Sequence, residues 1–272
     1  MCRALGVSRA GYYAWRKRRL SAAEVRRAEL TEEITTIHAE VKGRYGSPRV
    51  HAELVARGHA CCVNFVAKLM REAGIAAKTK RKFKQTTDAN HSMPVAENVL
   101  DRRFDPEQQN ASWCADVTYI PTREGWLYLA VVEDLFSRMV VGWSMDRTMT
   151  SRLVVDALEM ALARRVVGPE LVAHSDRGSQ YASEHYRRRL REERIGCSMS
   201  RRGNCWDNAP MESFFASLKK ELVHHEDYAT RAQARSSIFE YIEAFYNAKR
   251  RHSSLGYVSP AEYEQQAGEV AE

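Results

Sequence analysis

Six cysteines are scattered through 272 residues without a single C-x-x-C pair. That gives no support to a zinc ribbon or a disulfide scaffold. Cys61 and Cys62 are adjacent, while Cys2, Cys114, Cys197 and Cys205 stand apart, so reduced thiols in a cytoplasmic protein are expected. No apolar run reaches the ~18 residues that a membrane span needs, so no membrane partner is expected. The N-terminal stretch MCRALGVSRAGYYAW lacks the apolar core of a secretory signal. There is no internal repeat and no low-complexity segment, which excludes a solenoid or an array.

Charge is what the chain has in excess, and it is unevenly spread. The net charge is +7, yet residues 1–91 hold 19 Lys/Arg against 8 Asp/Glu, which leaves the remainder slightly acidic. A basic third beside a near-neutral body suggests a nucleic-acid-facing segment; a solvated basic surface would look the same. Residues 1–20 read as a short helical segment. Within 21–84, Leu30, Ile34, Ile37 and Val41 recur at helical spacing. Two short helices follow, the first with Ser47 and Pro48 as N-cap and first residue and Gly58 as stop, the second capped by Asn64 and ended by Gly74. A helix pair joined through a glycine turn is what a helix-turn-helix requires. The run Lys78, Lys80, Arg81, Lys82 and Lys84 adds cations that can neutralise phosphates. Residues 85–110 are polar and aperiodic, and read as a linker.

From residue 111 the period changes. SWCADVTYIPT, WLYLAVVEDLF and SRMVVGWSM read as three strands joined by short turns, and Leu153–Val167 as an amphipathic helix. LVAHSD is a short buried strand, Ser179–Arg194 a helix and IGCSMS another strand, before a loop that feeds a last helix. The order βββαβαβα over 111–228 predicts an α/β core, a mixed sheet with helices packed on it. Residues 229–272 add the helix Arg231–Asn247 and a basic, turn-rich tail.

The loop and helix SRRGNCWDNAPMESFFASLKKEL organise the candidate chemistry. Asp207 and Asn208 suit an N-cap, and Pro210 suits the first turn. Met211, Phe214, Phe215, Leu218 and Leu222 form one buried stripe. Glu212 lies just off that stripe, and Lys219 lies two turns further along its face, whereas Lys220 points ~100° away. Asp116 interrupts an apolar strand, where a carboxylate is costly unless it is paired or binds a metal. Asp176 ends a parallel-type strand, where α/β sites gather. Oxygen ligands without Cys or His select hard cations, Mg²⁺ or Mn²⁺. Each acid alone also admits a plain reading as a buried aspartate, a turn residue or a helix-dipole partner. Asp134 is assigned to its hairpin turn.

These segments resemble the second-frame (OrfB-type) transposases of bacterial insertion sequences, which have a retroviral-integrase-like core. WxxDxTYI is matched at Trp113–Ile120, HSDRGSQY at His174–Tyr181 and DNAxxESFFxxLKxEL at Asp207–Leu222. Asp176 and Glu212 are separated by 35 residues, the spacing of that family's acidic triad. YNxxRxHSSLGYxSPxxY is matched from Tyr246 to Tyr263, and GSPRVHAEL and LMREAGI resemble the family's N-terminal helix-turn-helix. The resemblance implies a ribonuclease H-like fold and metal-dependent cleavage and joining of DNA. It implies that Asp116, Asp176 and Glu212 hold two Mg²⁺ ions, with Mn²⁺ able to substitute, and that Asp116 bridges them. Lys219 falls on the family's DNA-contacting basic position. Arg201 and Arg202 join Lys78–Lys84 as expected DNA contacts. Element ends and target duplex are the expected partners, with a homo-oligomer assembled on DNA at the nucleoid. The family's upstream-frame protein is a further candidate partner. Two other readings use the same residues: a ribonuclease H-like nuclease that only hydrolyses, and a decayed DNA-binding repressor.

Overall fold

The computed structural model describes residues 2, 4, 6–78 and 95–271. Lys80, Arg81, Lys82 and Lys84 of the expected basic run therefore lie outside the described residues, and Lys78 within them. The chain divides into two units, Met1–Lys78 and Thr79–Glu272.

The first unit is helical. Helix α1 (Arg9–Lys17) is capped by the Ser8 hydroxyl, and α2 (Ala22–Glu40) starts in a reciprocal cap between Ser21 and Glu24. Leu30, Ile34 and Ile37 of α2 bury against Val50 and Leu54 of α3 (Ser47–Ala56) and Val66, Leu69 and Met70 of α4 (Val63–Glu72). This is the expected apolar stripe, although Val41 falls just past the end of α2. Gly58 and Gly74 end α3 and α4 with φ of 88° and 68°, the left-handed conformation that glycine enters without a Cβ penalty. The N-caps are shifted from expectation. Gly46 and Cys62 precede the two helices without a side-chain hydrogen bond, which places Ser47 and Asn64 inside them. Pro48 explains the first shift, since a residue without an N–H is tolerated anywhere in the first turn.

The second unit is built on a five-stranded sheet in the order β3-β2-β1-β4-β5. Strands β1 (Ser112–Thr122), β2 (Gly125–Asp134) and β3 (Met139–Asp146) form an antiparallel meander. Strands β4 (Val172–Ser175) and β5 (Gly196–Met199) run parallel to β1. Helix α5 (Ser151–Arg164) lies so close to β3 that a Cβ on Gly142 would sit 2.2 Å from the Ala157 carbonyl oxygen. Trp113, Ala115, Val132 and Val141 meet Leu153, Val154, Leu158, Tyr186 and Leu190 on that face. Side chains alternate across a strand, so Cys114 and Asp116 face the opposite side, where α8 (Ala209–Glu221) packs on β1. The helix expected over Ser179–Arg194 is two, α6 (Ser179–Ala182) and α7 (Glu184–Glu192). Ser183 breaks it, because its backbone is extended and its hydroxyl caps α7 at the Tyr186 N–H. This βββαβαβα arrangement is a ribonuclease H-like fold.

Two further segments lock onto this core. The described end of the expected linker packs on β5. Leu100 is buried, and the N–H groups of Val99 and Leu100 donate to Ser198 Oγ. Beyond α8, α9 (Arg231–Phe239) continues as a π-helical stretch, Glu240–Asn247, that buries Tyr241, Ile242, Phe245 and Tyr246. One cation of the basic tail is committed inside: Arg250 is buried and pairs with Glu221 of α8 at 2.7 Å, with Tyr241 donating to the same carboxylate at 2.9 Å. The tail ends in α10 (Pro260–Ala271). Among the described residues, no helix is long and apolar enough to cross a membrane.

Candidate active site

Asp116 enters the site because the pleat of β1 turns it toward α8 while its neighbours Ala115 and Val117 turn to the α5 core. Its carboxylate is pushed well above the usual range, first by burial and then by the negative charge of Asp176, with Glu212 adding to it. The Val117 N–H, which donates to its Oδ1 at 2.7 Å, and the Lys219 ammonium pull the other way. Asp176 follows directly on β4, parallel to β1. Its Oδ1 accepts the Gly178 N–H at 2.8 Å, and a Cβ at Gly178 would press to 2.9 Å from that same oxygen. Glu212 stands in the first turn of α8, half-buried. The chain thus brings Asp176, from the end of a strand, and Glu212, from a helix, within electrostatic range of Asp116.

Lys219 is also drawn in. Its ammonium lies 5.1 Å from the Tyr119 ring centroid, and burial lowers its pKa while Asp116 opposes the shift. Lys220, one residue on, is exposed. Lys219 thus sits over Tyr119 and within electrostatic range of Asp116, a relation that helix spacing from Glu212 does not show.

The acid expected at the N-cap has a different place. Asp207 is buried on a 3-10 turn, Cys205–Asn208, and does not cap α8. It accepts from Arg201 Nε and the Arg201 backbone N–H at 2.8 and 2.9 Å, from Arg102 Nε at 2.9 Å and from Asn98 Nδ2 at 3.0 Å. Those bonds, led by the Arg201 guanidinium, hold its carboxyl well below the usual carboxylate range. A buried acid with this many charged donors outcompetes the weaker capping role. Arg201 also pairs with Asp101, so its guanidinium is engaged within the fold. Arg202 is exposed on the same loop, and Lys78 is half-buried at the end of the first unit. Asn208 is buried too, and its Oδ1 accepts the Cys114 thiol at 2.8 Å, which ties the start of α8 to β1 two residues from Asp116.

Two side chains of the HSDRGSQY segment were not singled out from sequence. His174 is buried between two hydroxyls, with Nδ1 2.8 Å from Ser198 Oγ and Nε2 3.2 Å from Ser200 Oγ. Ser200 gives its own hydrogen to the Ser175 carbonyl. Ser198 Oγ also accepts the Val99 and Leu100 N–H groups, and the imidazole also meets the Asp207 backbone. Burial pushes the imidazole down to about 4, and it is a neutral strut between β4 and β5. Tyr181 is the other. Its hydroxyl is buried near Asp116 and Asp176 and has no hydrogen-bond partner among the described residues.

An orphaned donor and a like-charge cluster of oxygen ligands fit a hydrated hard cation. Among the described residues, no group of three or more His, Cys, Asp or Glu side chains stands as a ready metal cage.

Family models match the chain in three places: an HTH-like domain over residues 25–83 and an integrase core domain over 106–205 and again over 212–267. The transposase InsF for insertion sequence IS3A of Escherichia coli K12 is 44% identical over 266 residues, covering 97% of this chain and 92% of that protein. The 31 kDa protein of insertion element IS600 from Shigella sonnei is 43% identical, with 100% of each chain covered. A chain of the simian T-cell lymphotropic virus intasome, solved with the PP2A regulatory subunit B56 gamma, overlaps 85% of this chain and 73% of its own length. Its TM-score is 0.48 at 14% identity, too slight a likeness to add to the argument. On the near-complete match to InsF, the chain belongs to the second-frame transposases of bacterial insertion sequences, enzymes that cut and join DNA.

Proposed function

We propose that Asp116, Asp176 and Glu212 are the catalytic carboxylates of this transposase and would together hold its divalent metal, two Mg²⁺ ions for which Mn²⁺ can substitute. When bound, such ions supply the positive charge that attacking and leaving oxygens need in phosphoryl transfer. The observation that carries the reading is the position of Asp116, a half-buried acid on β1 whose pKa is raised by burial and by the negative charges of Asp176 and Glu212. A fold retains such strain where it serves a site. Asp116 is the central member, since both other acids act on it. Gly178 fixes the Asp176 carboxylate by its N–H and by having no side chain. Lys219 holds a positive charge over the cluster and, with a DNA end present, reaches a phosphate.

The reaction is two successive displacements at phosphorus. Water attacks the phosphodiester at the element end and the 3′ oxygen leaves as a hydroxyl. That hydroxyl then attacks a target phosphodiester, and the target's own 3′ oxygen leaves. No covalent enzyme intermediate is needed, so no Ser or Tyr nucleophile is assigned.

Residues 21–84 are read as the DNA-binding domain, with Lys78 as one phosphate contact, 111–228 as the catalytic core, and 229–272 as the helix and tail that brace it. Arg202 is read as a DNA contact on the core. Arg201 is read as one only in addition to its role in fixing Asp207. A homo-oligomer would hold two element ends together, with the upstream-frame protein as a further partner. The test is incubation with a pre-cut end of the element's terminal repeat, target plasmid and Mg²⁺, read on a denaturing gel. Joined product is expected. Nicked target without joined product would leave a nuclease that only hydrolyses.

A further inference from the structure

The loop between β5 and α8 contains a contrast that catalysis does not use. Asp207 and Asn208 are 1% and 6% exposed, whereas Trp206, directly before them, is 68% exposed. The indole is not on a loose tether. The Trp206 backbone N–H donates to Asn204 Oδ1, Asp207 is held by Arg201, Arg102 and Asn98, and Asn208 is held by Cys114. The turn is thus anchored on its core side, and a large ring is presented to solvent from its other side. Leaving Trp in water forfeits one of the largest apolar burials available to a side chain. Single exposed apolar residues are ordinary, but this one stands on an anchored turn six residues before Glu212. Around it Arg102 and Arg201 are paired with Asp207 and Asp101, and Arg202 of the same loop is exposed.

An exposed aromatic face among arginines is the chemistry that receives an unpaired nucleobase, because every nucleotide has a base with a π-face to stack and a phosphate to neutralise. Paired bases inside a duplex offer no such face. We infer that Trp206 is a stacking platform for an unpaired base at the DNA end being processed, holding the strand end beside the acids. The inference rests on the transposase reading above. It assigns the ligand class at this turn as a single-stranded or frayed terminus.

The probe is a short duplex with a three-nucleotide unpaired 5′ tail carrying 2-aminopurine as the base next to the duplex, with a blunt duplex as control. Binding by the full chain is followed by anisotropy, and stacking by quenching of the 2-aminopurine. The parent protein should quench the tailed probe. Trp206→Ala should abolish most of the quenching and weaken tailed-duplex binding about tenfold, while leaving blunt-duplex affinity and the thermal midpoint unchanged. Trp206→Phe should retain both quenching and affinity in large part. Equal quenching by the parent and Trp206→Ala, or an equal loss of affinity for the tailed and blunt duplexes, would overturn the inference. Glu212→Gln should quench like the parent although it joins no DNA. A Glu212→Gln protein that still joined DNA would sink the triad assignment without touching the stacking result, so the two failures are distinguishable.

Discussion

Asp116 and Asp207 are both carboxylates on the same side of the same unit, and their surroundings have opposite sign. Asp207 is encircled by the donors of Arg201, Arg102 and Asn98, and its acidity is strengthened. Asp116 is buried and crowded by Asp176 and Glu212, which Lys219 and one backbone N–H offset in part, and its acidity is weakened. The first acid is satisfied by the protein and holds a loop in place. The second is offset only in part, as the proposed cation site would require. A charge that the fold neutralises is structural, and a charge that it stacks against its like is available for chemistry.

The contrast breaks most sharply on activity. Glu212→Gln and Asp176→Asn should each lower strand transfer ~10³-fold or more while DNA binding survives, since each removes one of the acids without disturbing the first unit. Gel assays of joining beside anisotropy measurements of binding check this. Near-normal joining by either variant would return these acids to a structural role.

Asp207→Ala should act on stability. It leaves two arginines and an asparagine without their acceptor, at a cost of about 2 kcal/mol for lost charge-assisted hydrogen bonds, read by denaturant unfolding. The acid contributes fully above its unfolded value of 3.8 and fades only as the pH falls below that. The gap between parent and Asp207→Ala should therefore be constant from pH 8 to about pH 5.

Lys219→Ala should weaken binding of an element end and reduce joining about tenfold, the size of one charge-assisted contact. Lys220→Ala, on the exposed neighbour, should do much less. Equal effects in paired assays would make the contribution a diffuse one. The smallest effect is expected at His174. Its folded pKa of about 4 lies below the ordinary 6.5, so its contribution is complete above 6.5 and declines as the pH drops from there toward 4. His174→Gln should flatten that part of the stability–pH profile measured by thermal melts.

What could be read in the sequence follows from distance along the chain. The strands were legible because their β-branched and apolar residues are consecutive. Asp116 stood out because a carboxylate in such a run needs a reason. Gly58 and Gly74 marked helix ends by a local conformational rule. Asp207 was misread as a cap because its main side-chain partner from outside the loop, Arg102, is 105 residues away, while capping is judged within four residues. The tail could be read only as basic and turn-rich for the same reason, since nothing in RRHSSLGY announces that Arg250 meets Glu221. Helical spacing runs unbroken through Ser183, so the break there is visible only in the backbone. The orphaned Tyr181 hydroxyl had no sequence signal at all, being defined by what surrounds it in space.

The most direct test is a Mn²⁺ titration of thermal stability, in the absence of DNA, on the parent, Asp116→Asn and Asp207→Asn. Ligand binding to the folded state raises the midpoint, and relief of the crowding at Asp116 raises it without any ligand. The parent should therefore gain stability with Mn²⁺. Asp116→Asn should start at or above the parent and gain almost nothing. Asp207→Asn should start lower and gain as much as the parent. A Mn²⁺ response in Asp116→Asn equal to that of the parent, or none in the parent, would contradict the claim that the crowded acids, and not the arginine-held one, form the cation site.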